Sequence, residues 1–138
     1  LYSGEKKLNE FKYEEIEAFI KENENNLGVA FCNLCEINAE NIKSELEFLY
    51  ACESAAIIGT LQASYTNFPY LGKVTEEIVR KEALIGVSIT GWMNNPMLFN
   101  PELLKKGANT VKDINKEIAE MIGINPAART TCVNFCAL

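Results

Sequence analysis

Apolar residues recur along this chain in two rhythms, a spacing of three to four and short unbroken runs, and the two alternate. Ile16, Phe19 and Ile20 stand at helical spacing among charged residues, which predicts an amphipathic surface helix over 13–25, ended by Asn25-Asn26-Leu27-Gly28. Val29-Ala30-Phe31-Cys32-Asn33-Leu34-Cys35 carries no charge and is followed closely by a cap, so it reads as a buried strand. That cap is Asn38, whose side-chain oxygen suits the free N–H groups of a first helical turn, with Glu40 placed well against the helix dipole. A long helix is expected from there to about Ser64, with Ile42, Leu46, Leu49, Tyr50, Ala56, Ile57 and Leu61 as its apolar stripe. Ala51, Ser54, Ala55 and Gly59 are small enough to let another element approach it closely.

After a loop over 67–72, Thr75 with Glu76 and Glu77 opens a helix to about Glu82, and 84–90 is the clearest strand. Gly91 breaks it, and a short helical turn is expected between Trp92 and Leu98. Asn100-Pro101-Glu102 then starts a helix, with Asn as cap and Pro at the first helical position. Leu104, Ala108, Val111, Ile114, Ile118 and Ile122 form its expected stripe, and Gly123 followed by Asn125-Pro126 ends it. The β-branched run over 129–135 is a last strand. This order predicts the α/β class, with parallel strands, long crossover helices and both sheet faces covered. Three strands leave two open edges, which points to part of a larger sheet.

At 138 residues and 48% hydrophobic content, the chain has the material for one core. Its net charge of −6 repels a phosphate backbone, so no nucleic-acid partner is expected, although backbone N–H groups could still hold a small nucleotide. With no run of ~20 apolar residues and no basic start leading into one, no membrane partner is expected and the location reads as cytoplasmic. Five cysteines, an odd number, favour redox or unbridged thiols over a stapled framework. The absence of histidine excludes Cys-His and Ser-His nucleophile pairs and His-ligated zinc. Cys32 and Cys35 form a C-x-x-C pair, the spacing of a thiol-disulfide module or half a zinc site. On a strand, residues three apart face opposite sides, and no second such pair follows, so no metal is expected. Cys35 and Cys52 read as core, and Glu36 as a helix-start charge.

Three stretches together resemble the large chain of ribonucleotide reductases of the adenosylcobalamin-dependent class. Phe31-Cys32-Asn33-Leu34-Cys35-Glu36-Ile37-Asn38 resembles the family's Cys-Asn-Leu-x-Glu-Val/Ile segment, and Ile85-Gly86-Val87-Ser88-Ile89-Thr90-Gly91 is similar to its Ile-Gly-Ile-Ser-Met-Ser-Gly strand. Arg129-Thr130-Thr131-Cys132-Val133 looks like the strand that enters a Lys-Pro-Ser-Gly phosphate loop. The resemblance implies a partial segment of the reductase α/β barrel over 28–133, a lead segment or insertion over 1–27 and a divergent tail over 134–138. It implies that Cys32 is one of two reducing thiols, and that Thr130 and Thr131 lead toward the substrate phosphate. Adenosylcobalamin, a ribonucleotide substrate and a thioredoxin-type reductant are implied with it.

In that family a thiyl radical removes a ribose hydrogen, a carboxylate assists loss of the 2′-hydroxyl, and two facing thiols supply the reducing equivalents and close to a disulfide. Burial on a barrel strand holds the reacting atoms and keeps radicals from water. Two departures stand beside the matches: no cysteine precedes Cys32, where the family places Asn-Pro-Cys-Gly-Glu, and Asn134-Phe135-Cys136-Ala137-Leu138 stands where Lys-Pro-Ser-Gly is expected. The expectation is therefore a piece whose barrel is completed by other reductase chains and which is inactive alone. A non-catalytic assembly subunit and a small thiol-disulfide module are the alternatives.

Overall fold

Strand pairing in this chain begins where the first polar side chain can join it. A computed structural model describes residues 12–22 and 28–132. The expected end of the last strand, over 133–135, and the tail lie outside the described residues, as do the side chains of Ile16, Phe19 and Ile20. Asn33 donates its backbone N–H and its side-chain amide to Leu84 O, at 3.0 and 2.9 Å. From there β1, Asn33–Asn38, runs parallel to β2, Ile85–Thr90, with Asn33 opposite Ile85 and Asn38 opposite Thr90. The strand was expected from Val29, but the Val29 N–H donates to Thr75 Oγ1 at 3.2 Å, which ties that stretch to a helix and not to the ladder.

Residues 129–132 lie along the other side of β2. Ile85 N–H and Val87 N–H donate to Arg129 O and Thr130 O at 3.2 and 2.9 Å, Cys132 N–H donates to Val87 O at 3.2 Å, and Thr131 pairs with Val87 in the parallel sense. β2 is thus the middle of three chain segments running in one direction, and the fold is mixed helix and strand around a small parallel sheet.

The described residues form four α-helices: α1, Tyr13–Glu22; α2, Glu45–Ala63; α3, Gly72–Glu82; and α4, Pro101–Ile122. α2 starts later than the sequence pattern implies, because Asn38 caps only a short 3-10 turn, Ala39–Asn41, by accepting from Glu40 N–H. The working cap is Ser44, whose Oγ accepts from Glu47 N–H at 3.2 Å while Glu47 Oε2 accepts from Lys43 N–H at 2.7 Å. α4 begins as expected, with Asn100 Oδ1 accepting from Glu102 and Leu103 N–H, and ends at Gly123 in the left-handed region, φ 74°.

Small residues decide which faces are buried. α2 buries Phe48, Cys52, Ala55, Ala56, Gly59, Thr60 and Ala63, while Leu46, Tyr50 and Leu61 of the expected stripe are exposed. A Cβ on Gly59 would stand 3.4 Å from Cys35 Sγ and 3.4 Å from Ile85 Cβ, so a larger stripe would hold the helix off the sheet. The buried line of α4 is Leu103, Gly107, Val111, Asn115 and Ala119, which shares Val111 with the expected stripe and leaves Leu104 and Ile114 half-buried beside it, because Gly107 packs on the Phe48 ring. A Cβ there would come within 2.6 Å of that ring.

α2 lies across both strands on the side of Cys35, Ile37, Ile85 and Val87, and α4 packs on α2. The opposite face is covered only at the middle strand. Gly86 and Ser88 are buried there, but Leu34 is 54% exposed and Glu36 is also exposed, which corrects the expectation that both faces are closed throughout.

Candidate functional site

The chemistry-bearing side chains gather on that opposite face. A Cβ built on Gly86 would stand 2.7 Å from Cys132 Sγ, 2.8 Å from Cys32 Sγ and 2.8 Å from Leu34 Cδ2. Only glycine leaves room for the two sulfurs on either side of the middle strand. Cys32 is exposed, one residue before β1, and Cys132 is half-buried, one residue beyond the Thr131 bridge. Cys35 faces the helices, with its thiol donating to Gln62 Oε1 at 3.6 Å. The C-x-x-C pair is therefore split between the two faces of the strand, as strand alternation requires.

Burial pushes Cys32 above its ordinary value, and burial, then the neighbouring Cys32 and Glu36, push Cys35 the same way. Cys52, between α2 and α4, is pushed up to about 11 by burial. Among the described residues, no cluster of three His, Cys, Asp or Glu could hold a metal ion.

The two threonines are separated by the register. Thr131 pairs with Val87 and shares its face, whereas Thr130, through its carbonyl, accepts from Val87 N–H and falls on the Gly86 side. Thr131 and Cys132 border a groove of about 490 Å³ together with Val87, Ile89, Trp92 and Leu104. Arg129 donates to Ala128 O at 2.8 Å and is exposed. Met93 is 78% exposed and makes no packed face, while Trp92 stacks with Phe99 at 6.3 Å.

Periodicity alone did not mark the residue that positions this last segment. Asn115, 2% exposed, donates to Thr60 Oγ1 at 2.8 Å and accepts from Ala127 N–H at 2.9 Å, and Thr60 donates on to Ala56 O at 2.7 Å. This chain of bonds fixes the segment leading to Thr130 and Cys132 onto both long helices. The available signal was a polar residue standing in an every-fourth line of Leu103, Gly107, Val111 and Ala119. Asn95 does a similar job, donating to Ala39 O and Ile42 O at 2.8 Å and so joining the loops that follow β1 and β2.

No family model, curated protein or solved structure matches the chain. The groove beside Thr131 and Cys132 is too small to be the seat of the adenosylcobalamin that the resemblance implies. The 490 Å³ groove lies in the range of a drug-sized ligand, roughly 300–1,000 Å³, well short of a corrinoid, and its walls are largely core side chains. Among the described residues, no helix is long and apolar enough to cross a membrane.

Proposed function

We propose that this chain is a segment of the catalytic barrel of a ribonucleotide reductase of the adenosylcobalamin-dependent class, with Cys32 as one of its two reducing thiols. The observation that carries this reading is the sidedness of the sheet: α2, backed by α4, packs on one face, while Cys32, Gly86, Thr130 and Cys132 lie on the other. A barrel of parallel strands keeps its helices on the outer face, and in the reductase barrel that the sequence resembles the reducing thiol sits on the inner one, so this arrangement suits one wall of such a barrel. The exposed Leu46, Tyr50, Ile58 and Leu61 on α2, and the edge of β1 that no described strand pairs with, fit a wall that neighbouring elements extend.

In this role Cys32 gives up one hydrogen and a second thiol, on a partner chain, gives up the other, as the ribose 2′-hydroxyl leaves as water and the two sulfurs join. Thr130 lies on the same face and is the better placed of the two threonines to meet substrate. The radical-generating cofactor is held by the partner chains, and a thioredoxin-type dithiol returns the disulfide to thiols. A self-contained C-x-x-C module is disfavoured by the split of Cys32 and Cys35 between faces.

Co-expression with the flanking reductase chains, followed by an assay of ribonucleotide reduction with and without adenosylcobalamin, tests the reading. Turnover is expected only in the complete assembly and only with the cofactor, and Cys32→Ser is expected to reduce it to background. Turnover that survives Cys32→Ser rejects the site. An assembly that forms yet never turns over favours a non-catalytic subunit.

A further inference from the structure

We propose that the outer face of α2 is the docking surface for an amphipathic helix of another chain, one whose apolar stripe is flanked by Lys or Arg. α2 meets the sheet on one side and α4 on another, and it is apolar all round. A helix apolar on every side is stable in water when every side is covered. The third side presents Leu46, Tyr50 and Leu61, with Ile58 at the margin nearest β1, each about half exposed. From Leu46 to Leu61 the stripe runs about 22 Å at 1.5 Å per residue, the length of a four-turn helix. Midway along it Ser54 is small and exposed, and its Oγ already donates to Tyr50 O at 2.8 Å. A partner can therefore approach closely there without orphaning a hydroxyl.

Charge selects the occupant. Glu47 and Glu53 each stand three positions from Tyr50, one before it and one after, so they flank the stripe on its two sides. No Lys or Arg occurs between Ser44 and Gly72. An anionic lipid surface is disfavoured, because helices that lie on membranes carry Lys and Arg on the polar face. A second copy of the chain would set glutamates against glutamates. So would α1, which carries four glutamates and one lysine. A basic amphipathic helix supplies apolar cover and opposite charge together. The inference rests on the reductase reading only in taking that helix from a chain of the same assembly. Binding is read on the present chain alone, so failure of this contact and failure of turnover in the assembly are separate results.

The probe is a labelled synthetic peptide of about four turns, stapled to hold it helical, with leucines along one face and lysines beside them. Its control carries glutamate at every lysine position. Fluorescence anisotropy with the full chain is expected to show saturable binding of the lysine peptide and about tenfold weaker binding of the glutamate one. Tyr50→Ser and Leu61→Ser change exposed side chains only, and each should weaken binding about tenfold. Glu53→Lys should reverse the preference between the two peptides. Glu120→Lys, the same charge change at an exposed position of α4, should keep it, which separates the face from the net charge of −6. Circular dichroism on each variant distinguishes a lost contact from a lost fold. Equal binding of the two peptides, binding indifferent to Tyr50→Ser and Leu61→Ser, or no saturation below about 1 mM overturns the proposal. So does a dimer seen by light scattering that Leu61→Ser dissolves, because a second copy then covers the face.

Discussion

The two faces of the sheet carry the same kinds of residue to different ends. On the helix face, Cys35, Ile37, Ile85 and Val87 form one core with Ala55 and Ala56, and Gly59 brings α2 to contact distance of Cys35 and Ile85, while Ile37 and Val87 also border the 490 Å³ groove. On the other face Cys32, Leu34 and Glu36 remain exposed, and the middle strand presents a glycine and a serine where the helix side presents Ile85 and Val87. Stability comes from area removed from water, and reactivity needs access and space, so one sheet cannot give both on a single face. The cysteines show the division most directly: Cys52 is 3% exposed and walled in, while Cys32 is exposed and stands beside a gap.

If the helix face holds the fold, the largest loss comes from emptying it. Phe48 is 1% exposed, and its ring fills the contact between α2 and α4 at Gly107. Phe48→Ala is expected to lower unfolding stability by about 3–5 kcal/mol in urea titration, through lost transfer energy and an unfilled cavity. Leu34→Ala, on the other face, should cost well under half as much. Equal losses would break the comparison.

The next effect is polar. Asn115→Ala leaves Ala127 N–H without an acceptor and Thr60 Oγ1 without its donor, for an expected loss of about 2–3 kcal/mol. Hydrogen exchange would then rise first at Ala127 and the residues beside it, because the Asn115 bond ties the start of that segment to α4. Uniform loss of protection instead would place Asn115 in the general core and not as the tie between helices and sheet.

The class of fold was legible because parallel α/β order follows from where apolar runs and helical stripes alternate, and residues 85–90 and the start at Asn100 carry strong local signals. The details failed where tertiary packing overrides local preference. The stripe assigned to α2 counted Leu46, Tyr50 and Leu61 as buried because they are large, but close approach selects alanine and glycine, and α2 is apolar on every side. The helix start was misplaced because Asn38 and Ser44 are both capping residues, and only Ser44 has a glutamate three positions on. Cys32 could be chosen from motif resemblance, and its separation from Cys35 from strand alternation. Its proximity to Cys132 could not, since 129–132 reaches Gly86 through the register of a different strand pair.

The buried thiol gives a pH test of smaller size. Below about pH 9, folded and unfolded chains both hold the Cys52 proton, and unfolding exchanges none. Above it the unfolded chain ionises while the folded chain, with its thiol pushed up to about 11, stays neutral. Unfolding then releases a proton and stability falls as pH rises, by on the order of 2 kcal/mol at pH 11. Cys52→Ala costs stability at neutral pH but should flatten the alkaline decline by about that amount in parallel denaturation series. An unchanged slope would show that water reaches Cys52.

The smallest effect expected is on the open face, and it is the sharpest test of the division. Cys32→Ser exchanges one exposed, neutral side chain for another of similar shape, at a residue ahead of the first ladder bond. Nothing buried is emptied and no hydrogen bond of the sheet is removed, so the unfolding midpoint should stay within about 0.5 kcal/mol of the parent. The same substitution removes the only atom of that residue able to serve as a reducing thiol, so turnover of the completed assembly should fall to background while the stability does not change. If stability instead drops by about as much as a buried polar group costs, some 1–3 kcal/mol, the Gly86 face is packed core in its own right and the sheet has no open side for chemistry.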